Sequence, residues 1–258
     1  MGRVEPGSLF AGAAAHYSRY RHGYSDDVVG YIARELELDK RSRVLDLGCG
    51  PGTLAIPLAR FAGRVIAVDP SDDMLEEGAR GAPQNIRWMK GDSSRLRDLP
   101  LGRLDHTVMG RSFHWMDRVR VLADLDAMLP RTARSSWPAR PATRPNPRGS
   151  RWCSPCGSGS AWSGGPTPSL TTSPAAATRD LLADSRFRRL SAATFRRMAR
   201  RDAEAVIGLQ LSFSYSTPTR LGSRLPGFVE ALAEALEEAV PPGGWPEEIA
   251  TEVLIARR

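Results

Sequence analysis

The sequence contains few cysteines and no long apolar run, and each scarcity excludes a class of protein. Three cysteines among 258 residues cannot build the disulfide framework of a small extracellular domain. No stretch approaches the roughly 18 consecutive apolar residues that a membrane-spanning helix requires. The short apolar run near the N-terminus has no cleavage-like context, so it does not resemble a secretory signal. We therefore expect a soluble, cytoplasmic protein without a membrane partner.

Acidic residues are absent from one stretch of the chain, and this stretch supplies most of the net charge of +7. Residues 131–176 contain six arginines and no aspartate or glutamate. A strongly basic protein would ordinarily suggest a nucleic-acid partner. Because the excess of positive charge is confined to this one segment, we do not expect nucleic acid as a partner.

Predicted strands and helices alternate through the first half of the chain. A helix is predicted over 25–38, with Ser25 as its N-cap. The predicted strands are RVLDL, RVIAVD, NIRWMKGD and LDHTVMG, and the helical patterns between and after them are TLAIPLARFA, SDDMLEEGARGA and RVRVLADLDAML. This alternation favours a parallel sheet with right-handed crossovers and a ligand beyond the carboxyl ends of its strands.

A turn with glycine at alternate positions, Gly48, Gly50 and Gly52, follows the first predicted strand. The dinucleotide fingerprint is G-x-G-x-x-G, and here Thr53 occupies the place of its third glycine. A triphosphate-binding loop would need a lysine followed by serine or threonine, and this turn has neither pair. What remains is a turn with little side chain, which lets a ligand approach the backbone closely.

Three carboxylates, Asp46, Asp69 and Asp92, stand at the ends of three successive predicted strands. A carboxylate at the position of Asp69 is well placed to accept hydrogen bonds from both hydroxyls of a ribose. Asp92 is able to accept a hydrogen bond from the exocyclic amine of adenine. Each of them alone is an ordinary strand-end or capping residue, but three at successive strands together predict one binding site.

These motifs together resemble the class I S-adenosylmethionine-dependent methyltransferases that act on small molecules. The resemblance covers residues 10–130 and rests on VLDLGCGPGTLAIPLA, VIAVDPS, GDSSRLRDLP, LDHTVMGRSFHWMD and the N-terminal HYSRYRHGYS. It implies a Rossmann-like, doubly wound α/β fold. Its seven-stranded sheet would be mostly parallel, with an antiparallel C-terminal hairpin. S-adenosylmethionine is the cofactor that the resemblance implies.

The resemblance also implies roles for individual residues. Asp46 and the turn from Gly48 to Gly52 would face the methionine part of the cofactor. Asp69 would bind the ribose, and the adenine would lie between Asp92 and Ser93. The N-terminal segment would close over the site, with Tyr17 on the substrate. The full set of implied cofactor contacts is Asp46, Gly48, Gly50, Gly52, Asp69, Asp92, Ser93, Tyr20 and Arg21.

Methyl transfer from a sulfonium requires alignment of the reacting atoms more than it requires a catalytic triad. Positioning alone is able to lower such a barrier by about 7–11 kcal/mol, and a general base adds about 10²–10⁴-fold where the nucleophile must lose a proton. His114 is the candidate base, with substrate or cofactor contact and plain packing as alternatives. Trp115 is the candidate wall of the substrate pocket. The expected partner is a small-molecule acceptor methylated at oxygen, nitrogen or carbon.

The segment SFSYST, Ser212 to Thr217, allows two interpretations. Its hydroxyls are able to contact the substrate, but its alternation of polar and aromatic residues is equally typical of a strand edge. The pair Cys153 and Cys156 has the spacing of a redox or zinc motif. No second ligand pair accompanies it, so we expect no metal site.

We expect a single domain over residues 1–258, with four parts. These parts are an N-terminal helical cap over 1–40, a cofactor-binding half over 41–130, an irregular segment over 131–176, and a C-terminal half over 177–258 that completes the sheet and the substrate side. The irregular segment contains eight prolines, one leucine and no isoleucine, valine, phenylalanine or methionine. This composition is typical of disorder, so we predict that the fifth strand of the sheet is disrupted.

Two explanations for the irregular segment stay open, a basic insertion or a stretch of the gene read in the wrong frame. When RSSWPA is back-translated with G/C-rich codons, reading from the third base gives Val-Val-Leu-Ala-Gly where the fifth strand is due. WCSPCGS gives Val-Leu-Ala-Val-Arg-Glu at the same offset. We favour the frameshift. The alternative to an active methyltransferase is accordingly an impaired S-adenosylmethionine-binding protein without an ordered substrate half.

Overall fold

One mixed sheet of seven strands organises the fold, in the order β3-β2-β1-β4-β5-β7-β6. The computed structural model describes residues 6–131, 133–138, 174–237, 239 and 241–258. The strands are β1 (Arg43–Leu47), β2 (Arg64–Asp69), β3 (Ile86–Lys90), β4 (His106–Val108), β5 (Arg134–Pro138), β6 (Arg189–Arg201) and β7 (Trp245–Arg257). Strands β1 to β5 pair in parallel, and β7 runs antiparallel to both β5 and β6. The predicted doubly wound sheet with an antiparallel C-terminal hairpin is therefore confirmed.

Helices connect the strands in the pattern that the sequence predicts. They are α1 (Ala14–Tyr20), α2 (Asp26–Glu35), α3 (Ala55–Leu58), α4 (Asp72–Ala79), α5 (Arg118–Met128), α6 (Pro174–Ala183), α7 (Ala203–Leu211), α8 (Pro218–Leu221) and α9 (Leu225–Glu237). The Ser25 side chain caps α2 by accepting a hydrogen bond from the Val28 N–H, as predicted. Within the described ranges, none of the helices is long and apolar enough to cross a bilayer.

The central strands are apolar on both faces because both faces of the sheet are buried. Side chains along a strand point alternately to opposite faces. Leu45 and Leu47 therefore pack in one core cluster, which includes Phe187. Val44 packs in the other cluster, which includes Ile32. In the sheet β1 lies between β2 and β4, so the strand order reverses there and a crevice for a ligand is expected at the carboxyl ends of β1 and β4.

The fifth strand is present, so the prediction that it is disrupted is wrong. Strand β5 pairs with β4 through Thr107 and Ser135, and with β7 through Ser136 and Ile255. The prediction failed because it judged the composition of 131–176 as a whole, whereas a strand needs only five residues whose backbone groups find partners. Proline is the last residue of this strand, where a missing N–H is tolerated. Most of the irregular segment, with Cys153 and Cys156, lies outside the described residues.

Candidate functional site

The glycine turn after β1 forms the floor of the candidate site. Gly48, Gly50 and Gly52 have φ angles of 70°, 54° and 78°, a region that glycine adopts without the steric cost other residues incur. The Val68 carbonyl accepts hydrogen bonds from the N–H groups of Gly48 and Cys49, at 2.8 and 3.0 Å. These bonds tie the turn to the end of β2 and fix its position at the carboxyl edge of the sheet.

One of the three glycines faces open space. A Cβ on Gly48 would lie 2.5 Å from the Cβ of Ser112, and a Cβ on Gly52 would lie 2.5 Å from the Trp88 ring. A Cβ on Gly50 would meet no atom of the described residues within 4 Å, apart from its chain neighbours. The turn is therefore packed from two sides and open at its middle glycine, where a ligand is able to approach the backbone.

Asp69 ends β2 beside this open position. Its Oδ2 accepts a hydrogen bond of 2.8 Å from the Gly50 N–H, and its Oδ1 accepts one of 3.0 Å from the Ser71 N–H. Burial raises the pKa of Asp69, and the two N–H groups oppose that rise. Because a carboxylate oxygen accepts more than one hydrogen bond, both oxygens retain capacity for hydroxyl groups of a ligand.

Asp46, in β1, is a deeply buried carboxylate. Only 1% of the residue is exposed, and neither carboxyl oxygen has a hydrogen-bond partner among the described residues. Burial raises the pKa of Asp46 to about 7. The Ala55 N–H lies near enough to oppose this rise in part, whereas the charge of Asp69 adds to it. A buried, unpartnered carboxylate gains a great deal from a cationic or hydrogen-bond-donating ligand.

Asp92 follows β3 at the same edge of the sheet. Its Oδ1 accepts a hydrogen bond of 2.5 Å from the Ser94 N–H and caps the short 3-10 helix Ser93–Asp98. The capping interpretation, which the sequence left open, therefore describes one role of Asp92. Its position after β3 places it with Asp46 and Asp69 at the carboxyl ends of adjacent strands.

The N-terminal segment contacts α7 and the residues that follow it. The Arg21 guanidinium donates 2.9 Å and 2.8 Å hydrogen bonds to the hydroxyl and carbonyl of Ser212. The same guanidinium lies 4.3 Å from the centre of the Tyr17 ring and 4.8 Å from that of Phe213. The Tyr20 hydroxyl donates a 2.7 Å hydrogen bond to Glu204 of α7. Tyr20 and Arg21 thus fasten the segment to the C-terminal half.

His114 and Trp115 lie in a short 3-10 helix that follows β4. Their rings lie 4.9 Å apart, and 54% of Trp115 is exposed. Phe10 contacts Trp115 and Tyr17 edge to face, with 6.1 Å between ring centres in each pair. The structure therefore joins the two predicted substrate contacts, Tyr17 and Trp115, through Phe10, which the sequence argument missed.

The segment Ser212 to Thr217 forms turns, so the strand-edge interpretation is wrong. Ser212 accepts a hydrogen bond from Arg21, and the Ser216 hydroxyl donates one of 2.6 Å to the Gln210 carbonyl. The Thr217 hydroxyl caps α8 by accepting from the Arg220 N–H. These hydroxyls therefore hold the end of α7 and the start of α8 together.

Trp88 and Arg111 are further residues near the turn that the sequence argument did not identify. Trp88, in β3, lies behind Gly52 and Gly78 and closes the turn from one side. Arg111 follows β4 and has a φ angle of 61°, which is uncommon for a residue other than glycine. The only sequence signal was an aromatic residue inside a strand and an arginine after a glycine, and neither pattern is specific.

A cavity of about 530 Å³ lies away from these residues, at the amino ends of the strands. Its lining includes Arg43, His106 and Arg134, which are the first residues of β1, β4 and β5. Burial lowers the pKa of His106. Because it opens at the opposite edge of the sheet, this cavity is separate from the candidate site.

Comparison with known proteins gives matches in the same half of the chain. Residues 44–131 match the family model described as a methyltransferase domain. An uncharacterized methyltransferase of Mycobacterium tuberculosis is 29% identical over 122 residues, which cover 46% of this chain and 47% of the relative. The 23S rRNA (uracil(1939)-C(5))-methyltransferase RlmD of Vibrio cholerae is 31% identical over 81 residues, which cover 31% of this chain and 18% of the relative. This chain therefore spans less than half the length of either relative.

Solved structures share the whole fold at low sequence identity. The magnesium protoporphyrin IX methyltransferase ChlM from Synechocystis PCC 6803, solved with bound SAH, superposes with a TM-score of 0.53 and 16% identity. The superposition covers 98% of this chain and 98% of that protein. At this identity the likeness establishes the fold, including the C-terminal half that the family model does not cover.

Proposed function

Because the chain carries the domain of the class I S-adenosylmethionine-dependent methyltransferases, we propose that it transfers a methyl group from S-adenosylmethionine to an oxygen, nitrogen or carbon atom of a small molecule. The observation that carries this proposal is the open position at Gly50, with the Asp69 carboxylate hydrogen-bonded to the same residue. A nucleoside is able to lie against the bare backbone there while its ribose hydroxyls donate to Asp69.

The residues at this edge of the sheet fit the chemical groups of the cofactor. Asp46, buried and unpartnered, suits the ammonium group of the methionine part. Asp69 suits the ribose hydroxyls, and Asp92 with Ser93 would flank the adenine. In this proposal Tyr20 and Arg21 close the site over the cofactor through the contacts of the N-terminal segment with α7.

The chain's own residues have to align the acceptor, exclude water and take a proton where the acceptor carries one. Bound S-adenosylmethionine, held by Asp46, Asp69 and Asp92, would supply an electrophilic methyl group and a neutral thioether as leaving group. We place His114 as the base that receives the proton of the acceptor. Tyr17 and Trp115 would hold the acceptor in line.

A small acceptor is favoured by the aromatic residues at the rim of the site. Phe10 contacts both Tyr17 and Trp115 there, and apolar walls with a few polar groups are typical of small-molecule sites. The name of RlmD describes methylation of ribosomal RNA, but its match covers only 18% of that protein. The excess of positive charge that would favour a nucleic-acid acceptor comes from one segment, 131–176, and not from the residues of the candidate site.

The direct test of this function is release of S-adenosylhomocysteine from S-adenosylmethionine in the presence of acceptors that offer phenol, amine or activated-carbon nucleophiles. We expect acceptor-dependent release by the wild-type chain and, at subsaturating cofactor, a rate about 10- to 150-fold lower in the Asp69→Ala variant. Binding of the cofactor without release for any acceptor in a broad panel would favour the impaired, binding-only alternative.

Substituting Gly50 by alanine is expected to weaken binding of S-adenosylhomocysteine at least about tenfold, because the new Cβ would occupy the open position beside Asp69. Gly81→Ala is the matched control, since Gly81 also has positive φ, at 69°, and also faces open space. Both variants incur the same backbone strain, so calorimetric titration of the two separates strain from the loss of ligand space. Equal affinities would place the ligand elsewhere.

The affinity for S-adenosylhomocysteine is expected to rise with pH and to level off above pH 7. The pKa of Asp46 is raised to about 7, so below that pH the carboxylate must ionise before it pairs with the ligand ammonium. The ionised fraction of Asp46, and with it the affinity, should therefore rise about fivefold between pH 6 and pH 7. In Asp46→Asn this dependence should disappear. Titrations at several pH values that give parallel curves for both proteins would contradict the role of Asp46.

The same raised pKa has the opposite effect on the stability of the ligand-free chain. Asp46 is protonated in the folded state over a pH range where it is ionised in the unfolded state. Its contribution to the free energy of unfolding is therefore greatest below pH 3.8 and is lost as the pH rises through about 7. Ligand binding and stability thus respond to pH in opposite directions through one residue.

A further inference from the structure

Arg111 lies at the point of the sheet where a ligand crevice is expected. It follows Gly110 at the carboxyl end of β4, beside β1, where the strand order reverses. Its neighbour Ser112 donates a 2.6 Å hydrogen bond to the Leu47 carbonyl and packs against Gly48 of the glycine turn. With φ at 61°, Arg111 holds a backbone conformation that is costly for its residue type, and such conformations cluster at functional sites.

The partners that the described residues offer to the Arg111 guanidinium are neutral. It donates a 2.7 Å hydrogen bond to the His22 carbonyl and one of 3.2 Å to the Tyr24 hydroxyl, and it lies 4.8 Å from the centre of the Tyr24 ring. Within the described part of the chain, no aspartate or glutamate forms an ion pair with it. A guanidinium has five N–H donors, so these contacts leave several unused.

The surroundings withdraw this cation from water. Burial acts to lower the pKa of Arg111, and the phenol groups of Tyr24 and Tyr17 outweigh it, so the pKa is raised overall. Tyr17 is the aromatic residue of the N-terminal segment that packs beside Phe10 at the rim. Burial raises the pKa of Tyr24, and the charge of Asp46 adds to that rise.

A partly buried cation without a counter-charge is unfavourable unless a ligand supplies one. We propose that Arg111 recognises a carboxylate of the ligand bound in this site, an inference that rests on the proposed function. The planar fork of a guanidinium matches the two oxygens of a carboxylate. That carboxylate is either the amino-acid carboxylate of the cofactor or an acidic group of the methyl acceptor, and two titrations distinguish the sources.

The first titration compares S-adenosylhomocysteine with 5′-methylthioadenosine, which keeps the nucleoside but lacks the amino-acid end. If Arg111 holds the cofactor carboxylate, Arg111→Gln should weaken S-adenosylhomocysteine about 10- to 100-fold, the scale of a charged hydrogen bond, and leave 5′-methylthioadenosine unchanged. Arg111→Lys should lose less, because it keeps the charge and loses the fork. Arg103→Gln, at the opposite edge of the sheet and paired with Asp105, is the control and should alter neither affinity.

The second titration compares benzoate with benzamide, its neutral analogue, on the wild-type chain saturated with S-adenosylhomocysteine. If Arg111 holds a carboxylate of the acceptor, benzoate should bind at least about tenfold more tightly than benzamide, and Arg111→Gln should remove the preference. In that case the methyl acceptor is a carboxylic acid or carries one close to the methylated atom.

A third pattern would overturn the inference. If Arg111→Gln weakens S-adenosylhomocysteine and 5′-methylthioadenosine equally, or changes none of the four affinities, Arg111 only clamps His22 and Tyr24. Thermal unfolding of each variant shows whether a loss of affinity comes from misfolding. If Arg111→Gln is misfolded, the affinities of Arg111→Lys are used in its place. If the wild-type chain binds neither nucleoside, the proposed function itself fails and this inference falls with it.

Discussion

Replacing Asp69 by alanine is expected to weaken binding of S-adenosylhomocysteine by about 1.5–3 kcal/mol, or roughly 10- to 150-fold. The carboxylate of Asp69 is fixed by the N–H groups of Gly50 and Ser71, and it is only 9% exposed. Its removal takes away the acceptor for the ribose hydroxyls and also releases the Gly50 N–H. Calorimetric titration measures the loss.

Two further variants separate these effects. Asp69→Asn keeps one acceptor oxygen and should lose less affinity than Asp69→Ala. Asp105→Ala is the matched control, because Asp105 also accepts a backbone hydrogen bond, 2.9 Å from the Arg43 N–H, but lies at the opposite edge of the sheet. Unchanged affinity in Asp69→Ala would mean that the ribose does not bind at the end of β2.

The double substitution of Ser135 and Ser136 by valine is expected to raise the free energy of unfolding by about 2–4 kcal/mol. Both residues are fully buried in β5, at 0% exposure, and neither hydroxyl has a hydrogen-bond partner in the described part of the chain. Each hydroxyl has therefore lost its water without a replacement. Valine removes that cost and adds buried apolar area on both faces of the sheet, because successive side chains of β5 point to opposite faces.

Chemical denaturation measures the increase in the free energy of unfolding. Two controls separate the removal of the hydroxyls from the addition of methyl groups. The double alanine variant removes the hydroxyls without adding volume, so it should be near neutral or mildly stabilising. Ser94→Val, at an exposed position, should stay within about 0.5 kcal/mol of the wild type. A double valine variant less stable than the wild type would show that the core around β5 has no room for the added methyl groups.

The same two serines bear on the origin of the irregular segment. Back-translation of RSSWPA at the shifted offset places valine at both positions, and the structure makes both of them core positions of a central strand. A gain in stability from valine would therefore favour the frameshift over a basic insertion. Resequencing the gene from fresh DNA tests the frameshift directly, since an unbroken frame would exclude it.

The sequence predicted those elements whose pattern is local. Strands β1 and β2 were predicted to the residue, because continuous apolar runs ended by an acid or glycine define buried parallel strands. The helix after the glycine turn was predicted to be longer than α3, which spans only Ala55–Leu58. The ends of a helix are set by hydrogen bonds with the adjoining turn, so the apolar pattern of the sequence predicts them poorly.

The remaining differences concern features that only the assembled sheet creates. Strand β5 forms from RSSWP because β4 and β7 offer backbone partners on both sides, which no property of the five residues reveals. Arg111 drew no prediction from the sequence. Its contacts with His22 and Tyr24 exist only after the N-terminal segment has packed on it. Asp69 and the glycine turn were predicted to share one site because their spacing in the chain is itself a signal, and the structure joins them by the hydrogen bond from the Gly50 N–H to Asp69.

We propose above all that S-adenosylmethionine binds at the carboxyl ends of β1 and β2. Calorimetric titration of the purified chain with S-adenosylmethionine, with NAD as the control ligand, tests it most directly. We expect saturable binding of S-adenosylmethionine and no binding of NAD. A chain that is folded by circular dichroism and binds no S-adenosylmethionine, or binds NAD in its place, would contradict it.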